Sequence, residues 1–97
     1  MKPFRWNHEK NEWLKLERGI SYEEIVLAID AGGLLDLLRH PNQAKYPKQL
    51  VLVVALDGYA YLVPLVDEAD SYFLKAVIPS RKATRDYLLP RGSDEKT

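Results

Sequence analysis

A chain of 97 residues with 46% apolar and 29% charged side chains has the balance of one folded domain, which excludes collagen-like, low-complexity and disordered classes. Fourteen Lys and Arg offset fourteen Asp and Glu, which argues against a protein that coats nucleic acid without direction. The absence of cysteine removes disulfides, thiolate metal sites and cysteine nucleophiles, and points to a reducing, bacterial-type cytosol. The N-terminus shows no apolar leader, and the longest uncharged apolar run, Leu50–Leu56, is far shorter than the ~20 residues that span a bilayer. A soluble, cytoplasmic protein without a membrane partner is the expectation.

Phe4–Trp6 predicts a short strand, and Asn7 then caps a helix over His8–Arg18 that Gly19 closes. The few apolar positions of that helix, Trp13, Leu14 and Leu16, predict a surface helix with one narrow stripe turned inward. Ser21 with Glu24 forms a capping box, and Ile25, Val26, Ala28 and Ile29 supply the stripe of a second helix ending at Gly32–Gly33. Leu34–Leu38 is an apolar patch too brief to assign. Arg39–Gln49, with two prolines and three amide side chains, reads as a loop.

Leu50–Leu56 and Tyr59–Val66 then form a hairpin about Asp57–Gly58, with Pro64 marking an edge position or a bulge. Tyr72–Ile78 predicts a third long strand in which Tyr72, Leu74, Ala76 and Ile78 face the core and Phe73, Lys75 and Val77 the opposite side. Pro79 breaks it, and Ser80 caps a terminal helix over Arg81–Leu89 that Pro90 stops. The sum is one domain over residues 1–90 with a flexible tail over 91–97. Its class is α+β in the order β-α-α-β-β-β-α, an antiparallel sheet packed against helices on one face.

Phosphate-binding Gly-rich loops, metalloprotease helices and Ser-His-Asp spacings are all missing. His8 and His40 lie in different elements without an acidic cluster at ligand spacing, so neither a metal nor another cofactor is expected. Glu23–Asp36 and Asp67–Asp70 are negative zones, whereas Arg39–Lys48 and Lys75–Arg85 carry cations and no acid. If the two basic stretches lie side by side, the neutral chain presents one cationic face.

That pattern suits metal-free cleavage of RNA, in which the 2′-hydroxyl attacks phosphorus while the protein supplies proton transfer and positive charge. His40, in a polar loop, is the residue type that exchanges protons near neutral pH. Arg39, Lys48, Lys75, Arg81, Lys82 and Arg85 are the available cations. Tyr46, Tyr59, Tyr61 and Tyr72 have the faces to stack on bases, although strand aromatics more commonly pack across strands. Trp6 and Trp13 read as anchors of the first helix.

Two blocks resemble the BrnT-type toxins of bacterial type II toxin–antitoxin systems. FRWNHEKN followed by RGISYEE is similar to that family's Phe-x-Trp-Asp-x-x-Lys opening and its Gly-Ile-Ser-Phe-Glu-Glu turn into the second helix, and PSRKATR at Pro79–Arg85 is similar to its Ser-Ala-Arg-Lys-Ala-Thr block. The resemblance covers about residues 4–88 and implies a RelE-like fold, a ribonuclease that blocks translation, and an antitoxin partner that is a small DNA-binding protein. The toxin itself would then bind no DNA alone, and its substrate would be RNA, free or on the ribosome. Lys10, Arg81 and Lys82 are the matched positions without an explanation from folding.

The chain departs from the pattern at Leu14, where the family usually has asparagine, and at Arg18, where it has histidine. The expected catalytic set is therefore His40, Arg18, Arg81 and Lys82, and the expected substrate-binding set Lys10, Lys48, Lys75 and Arg85. The other reading is a non-catalytic RelE-like interaction module, half of a repressor complex or a ribosome binder, which the acidic zones and zero net charge fit.

Overall fold

The structure, a computed structural model, describes residues 2–89, so the expected stop at Pro90 and the expected tail lie outside the described residues. Strand β1 (Phe4–Trp6) runs into Asn7, whose side chain accepts the Lys10 N–H at 2.8 Å and opens helix α1 (His8–Arg18). Gly19 caps α1, and Ser21 and Glu24 form the reciprocal box that opens α2 (Tyr22–Ala28).

The inward stripe of α1 differs from the expected one. Leu14 is buried, but Trp13 and Leu16 are exposed at 46% and 83%, and Asn11 takes the second inward place. Its Oδ1 accepts the Tyr22 N–H at 2.8 Å and its Nδ2 donates to Glu23 Oε1 at 2.7 Å. A buried amide is tolerated because it satisfies an orphan donor at the start of α2. Trp13 is thus no anchor; it lies under the Arg18 guanidinium, 5.3 Å from the ring centre.

After α2 a π-type turn (Ile29–Gly33) passes close over the sheet. A Cβ on Gly33 would sit 2.7 Å from the carbonyl oxygens of Ala28 and Ala55, so only glycine fits there. The chain continues through β2 (Leu34–Arg39), β3 (Gln49–Leu56), β4 (Tyr59–Asp67), β5 (Tyr72–Leu74) and β6 (Ile78–Pro79). The unassigned Leu34–Leu38 patch is therefore an edge strand, kinked by a bulge between Leu34 and Asp36. Asp57 and Gly58, both at positive φ, make the expected hairpin turn.

The strand order is β1-β5-β4-β3-β2, with β6 also paired to β4. The sheet is mixed rather than antiparallel, because β1 pairs in parallel with β5, Phe4 opposite Tyr72 and Trp6 opposite Leu74. The expected third strand is two strands. Leu65 faces Leu74 and Leu62 faces Ile78, so three steps along β4 match four along its neighbour, a one-residue bulge over residues 75–77. The bulge reverses the expected alternation: Val77 enters the core and Ile78 is 45% exposed. Pro64 lies opposite this bulge in a central strand; its carbonyl accepts the Lys75 N–H at 2.8 Å, and the donor it lacks falls where the neighbouring ladder is already interrupted.

Tyr22, Ile25 and Leu14 pack on one face of the sheet against Leu50, Leu52, Val63 and Leu74. The terminal helical segment, α3 (Arg81–Ala83) and a π-type turn (Thr84–Leu88), crosses to the other face, so helices flank the sheet on both sides and not on one. Ala83 is small enough to bury against Val53 and Ala60. Thr84 Oγ1 accepts the Ala60 N–H and donates to the Ser80 carbonyl, both at 2.8 Å. Ser80 Oγ caps Ala83 N–H, so Ser80 and Thr84 are fastenings. No helix of the described residues is long and apolar enough to cross a membrane.

Candidate functional site

The terminal segment covers only the half of its face that lies toward the Asp57–Gly58 turn. The uncovered half is a cleft of about 550 Å³ floored by Leu38, Val51, Leu62, Pro64 and Val66 and walled by Arg39, His40, Pro41 and Lys75. Strand register puts Val51 beside Pro64 on this face, and alternation carries Lys75 onto it. Lys75 is exposed, with its ammonium 5.4 Å from the Phe73 ring centre.

The His40 loop is well tied. The His40 ring packs on Tyr46 with centroids 4.4 Å apart, the Gln43 side chain donates to the His40 carbonyl at 2.6 Å, and His40 N–H donates to Gln49 O at 3.2 Å. The Asn42 N–H donates to His40 Nδ1 at 3.0 Å, so the neutral ring keeps its proton on Nε2. The imidazole therefore holds its acceptor nitrogen in the loop, and Nε2–H has no protein partner among the described residues.

A neighbouring cleft of about 220 Å³ shares Leu38 and Leu62 with the first and is bordered by Lys82, Asp86 and Tyr87. Lys82 pairs with Asp86 at 3.0 Å and Arg85 with the same carboxylate at 3.3 Å. The Lys82 hydrogen bond, and after it Arg85, hold the Asp86 carboxyl below its ordinary range against some desolvation. The Tyr87 hydroxyl donates to Asp36 at 2.5 Å, which lowers the Asp36 carboxyl and raises the tyrosine. Arg81 is exposed at the start of α3, with no ion pair among the described residues.

A third cleft, about 400 Å³, lies where the first turn of α1 meets the end of β5 and is lined by Asn7, Lys10, Tyr22, Phe73, Leu74 and Lys75. Lys75 thus borders two clefts. Neither the Lys10 nor the Lys75 ammonium has an ionic partner among the described residues.

Of the expected residues, His40 and Lys75 come together, with Arg39 added, and Lys10 meets Lys75 on the other side. Arg18, two helical turns and about 12 Å along α1 from Lys10, stays at the Trp13 ring and joins none of the three clefts. Leu14, between them in spacing, is turned into the core. Lys48 is exposed beside Gln49 and lines no cleft described here. Sequence reasoning passed over Tyr22 and Asn11, although an apolar-stripe position occupied by asparagine was itself a signal. Among the described residues no three His, Asp or Glu side chains gather as metal ligands would. No family model, curated protein or solved structure matches the chain.

Proposed function

We propose that this protein acts on RNA as the RelE-like, BrnT-type toxin of a toxin–antitoxin pair, a slow endoribonuclease that works without a metal. The observation that carries the reading is the cleft lined by Arg39, His40 and Lys75 over an open sheet face. The two sequence blocks, the β-α-α opening and the cap and tie made by Ser80 and Thr84 are compatible with it.

In this reading Arg39 and Lys75 hold the phosphoryl oxygens, and His40 donates from Nε2 to one of them. The 2′-oxygen forms its bond to phosphorus as the bond to the 5′-oxygen breaks. The 2′-hydroxyl proton leaves to water and the 5′-oxygen takes one from water, giving a 2′,3′-cyclic phosphate and a 5′-hydroxyl. The contribution is charge stabilisation, because the imidazole acceptor is already bonded to Asn42.

Purified chain incubated with long single-stranded RNA in excess chelator, with and without ribosomes, tests this. The expected result is fragments with cyclic phosphate ends, lost in Lys75→Ala with His40→Ala. Intact RNA in both conditions overturns it. The apolar floor made by Leu38, Leu62 and Val66 favours one second reading, a non-catalytic module whose cleft seats a protein segment such as an antitoxin's. Intact RNA together with a stable complex with the product of a neighbouring small gene would establish that reading instead.

A further inference from the structure

Strand β2 is the outer strand of the sheet: β3 takes one side of it, and no strand among the described residues takes the other. His40 N–H donates to Gln49 O, and the register sets Leu38 opposite Val51 and Asp36 opposite Val53, so antiparallel alternation turns the backbone groups of Leu37 and Arg39 outward. The Leu37 N–H accordingly finds the Asp36 carboxylate at 2.8 Å instead of a strand. Beside these groups the Leu37 and Leu38 side chains are 43% and 40% exposed, one on each face. An open aliphatic edge of this kind is a template for another strand.

When two copies of β2 pair antiparallel about a two-fold axis, one residue stands opposite itself and outward backbone groups must meet outward groups. An axis at Asp36 opposes two carboxylates, and one at Arg39 opposes two guanidinium groups and brings Pro41, which has no N–H, against Leu37. An axis at Leu37 leaves one bonded pair before the bulge between Leu34 and Asp36. An axis at Leu38 gives two bonded pairs, each joining Leu37 to the partner's Arg39, sets the two Leu38 side chains together, and puts Asp36 opposite the partner's His40. Asp36, Leu38 and His40 share one face: Leu38 and His40 line the same cleft, and Tyr87 bonds to Asp36 on that side.

We infer that the β2 edge pairs with a second copy of this chain about an axis at Leu38, and that in the pair His40 Nε2–H donates to the partner's Asp36. The Leu37 N–H passes from Asp36 to the carbonyl of the partner's Arg39, which frees that carboxylate oxygen for the imidazole. The pair occupies the donor that the RNA reading uses, so the dimer is the resting form of the site. That last assignment rests on the RNA reading; the pairing does not.

The chain has no cysteine, so single cysteines report the register. Under mild oxidation Leu38→Cys is expected to link to itself, because residues opposed at a non-bonded antiparallel position lie within disulfide reach, whereas the comparably exposed Leu37→Cys is not. Sedimentation of the full chain should show a concentration-dependent dimer, weakened about tenfold in Asp36→Lys and restored in Asp36→Lys with His40→Asp. Restoration separates a lost contact from a lost fold. A monomer at every concentration, a dimer that Asp36→Lys leaves unchanged, or equal linking by the two cysteine variants overturns the pairing. Intact RNA together with the Leu38 link upholds the pair while removing the resting-form assignment; RNA cleavage by a chain that stays monomeric does the reverse.

Discussion

The cations of the terminal segment and those where α1 meets the end of β5 look alike in one dimension and differ in three. Lys82 and Arg85 share one carboxylate, Asp86, one to four residues away, as helical spacing allows. Lys10 and Lys75 come from distant parts of the chain, line one cleft, and form no ion pair among the described residues. Lys82 and Arg85 are paired within their own helical segment, whereas Lys10, Lys75 and Arg81 form no ion pair among the described residues. Within the expected set, the difference favours Lys75 and Lys10 over Lys82 and Arg85 as the proposed phosphate contacts.

The largest effect should come from removing what holds the cleft between α1 and the end of β5 in shape. Asn11→Ala strips the acceptor from a buried Tyr22 N–H and the donor from Glu23, and is expected to cost about 2–4 kcal/mol in urea unfolding. A cost near zero would mean that α1 and α2 are joined by apolar packing alone. Next, Lys75→Ala should weaken binding of single-stranded RNA about tenfold, while Lys82→Ala with Arg85→Ala changes it less than about twofold. Fluorescence anisotropy at fixed salt reads both, and the opposite ranking would return the site to the terminal segment.

Asp86→Asn sharpens the same comparison by releasing Lys82 and Arg85, and a gain of about twofold in RNA affinity is expected. The smallest effect concerns pH. The Asn11 hydrogen bond, and then its own backbone N–H, hold Glu23 below its ordinary 4.5 in the folded chain. A carboxyl depressed by folding contributes stability above its unfolded value and loses it as the pH falls through the folded one. Melting temperature should therefore fall below about pH 4.5, and the fall should be shallower in Glu23→Gln; equal slopes would assign it to other carboxylates.

Local signals were read correctly wherever neighbours in sequence are neighbours in space. Asn7 and Gly19 bound α1, Ser21 and Glu24 open α2, and Asp57–Gly58 turns the hairpin. The errors fall where a partner strand or helix decides. Alternation through Tyr72–Ile78 failed because β4 accepts a one-residue bulge opposite Pro64, and Trp13 was misplaced because Asn11 bonds to α2. His40 was identified by residue type, but the Asn42 bond that makes it a donor is a property of the folded loop. Tyr22 was hidden as one aromatic in a capping sequence.

The amino-acid sequence by itself determined the caps, the turns, the hairpin and the supply of cations, because each depends on contacts within a few residues. Tertiary structure alone decided the parallel β1–β5 pair, the crossing of the terminal segment to the second sheet face, and which lysines keep their charge unanswered. Those outcomes join residues as distant as Phe4 and Tyr72 or Lys10 and Lys75, and their energies come from packing and burial that exist only once the sheet has closed.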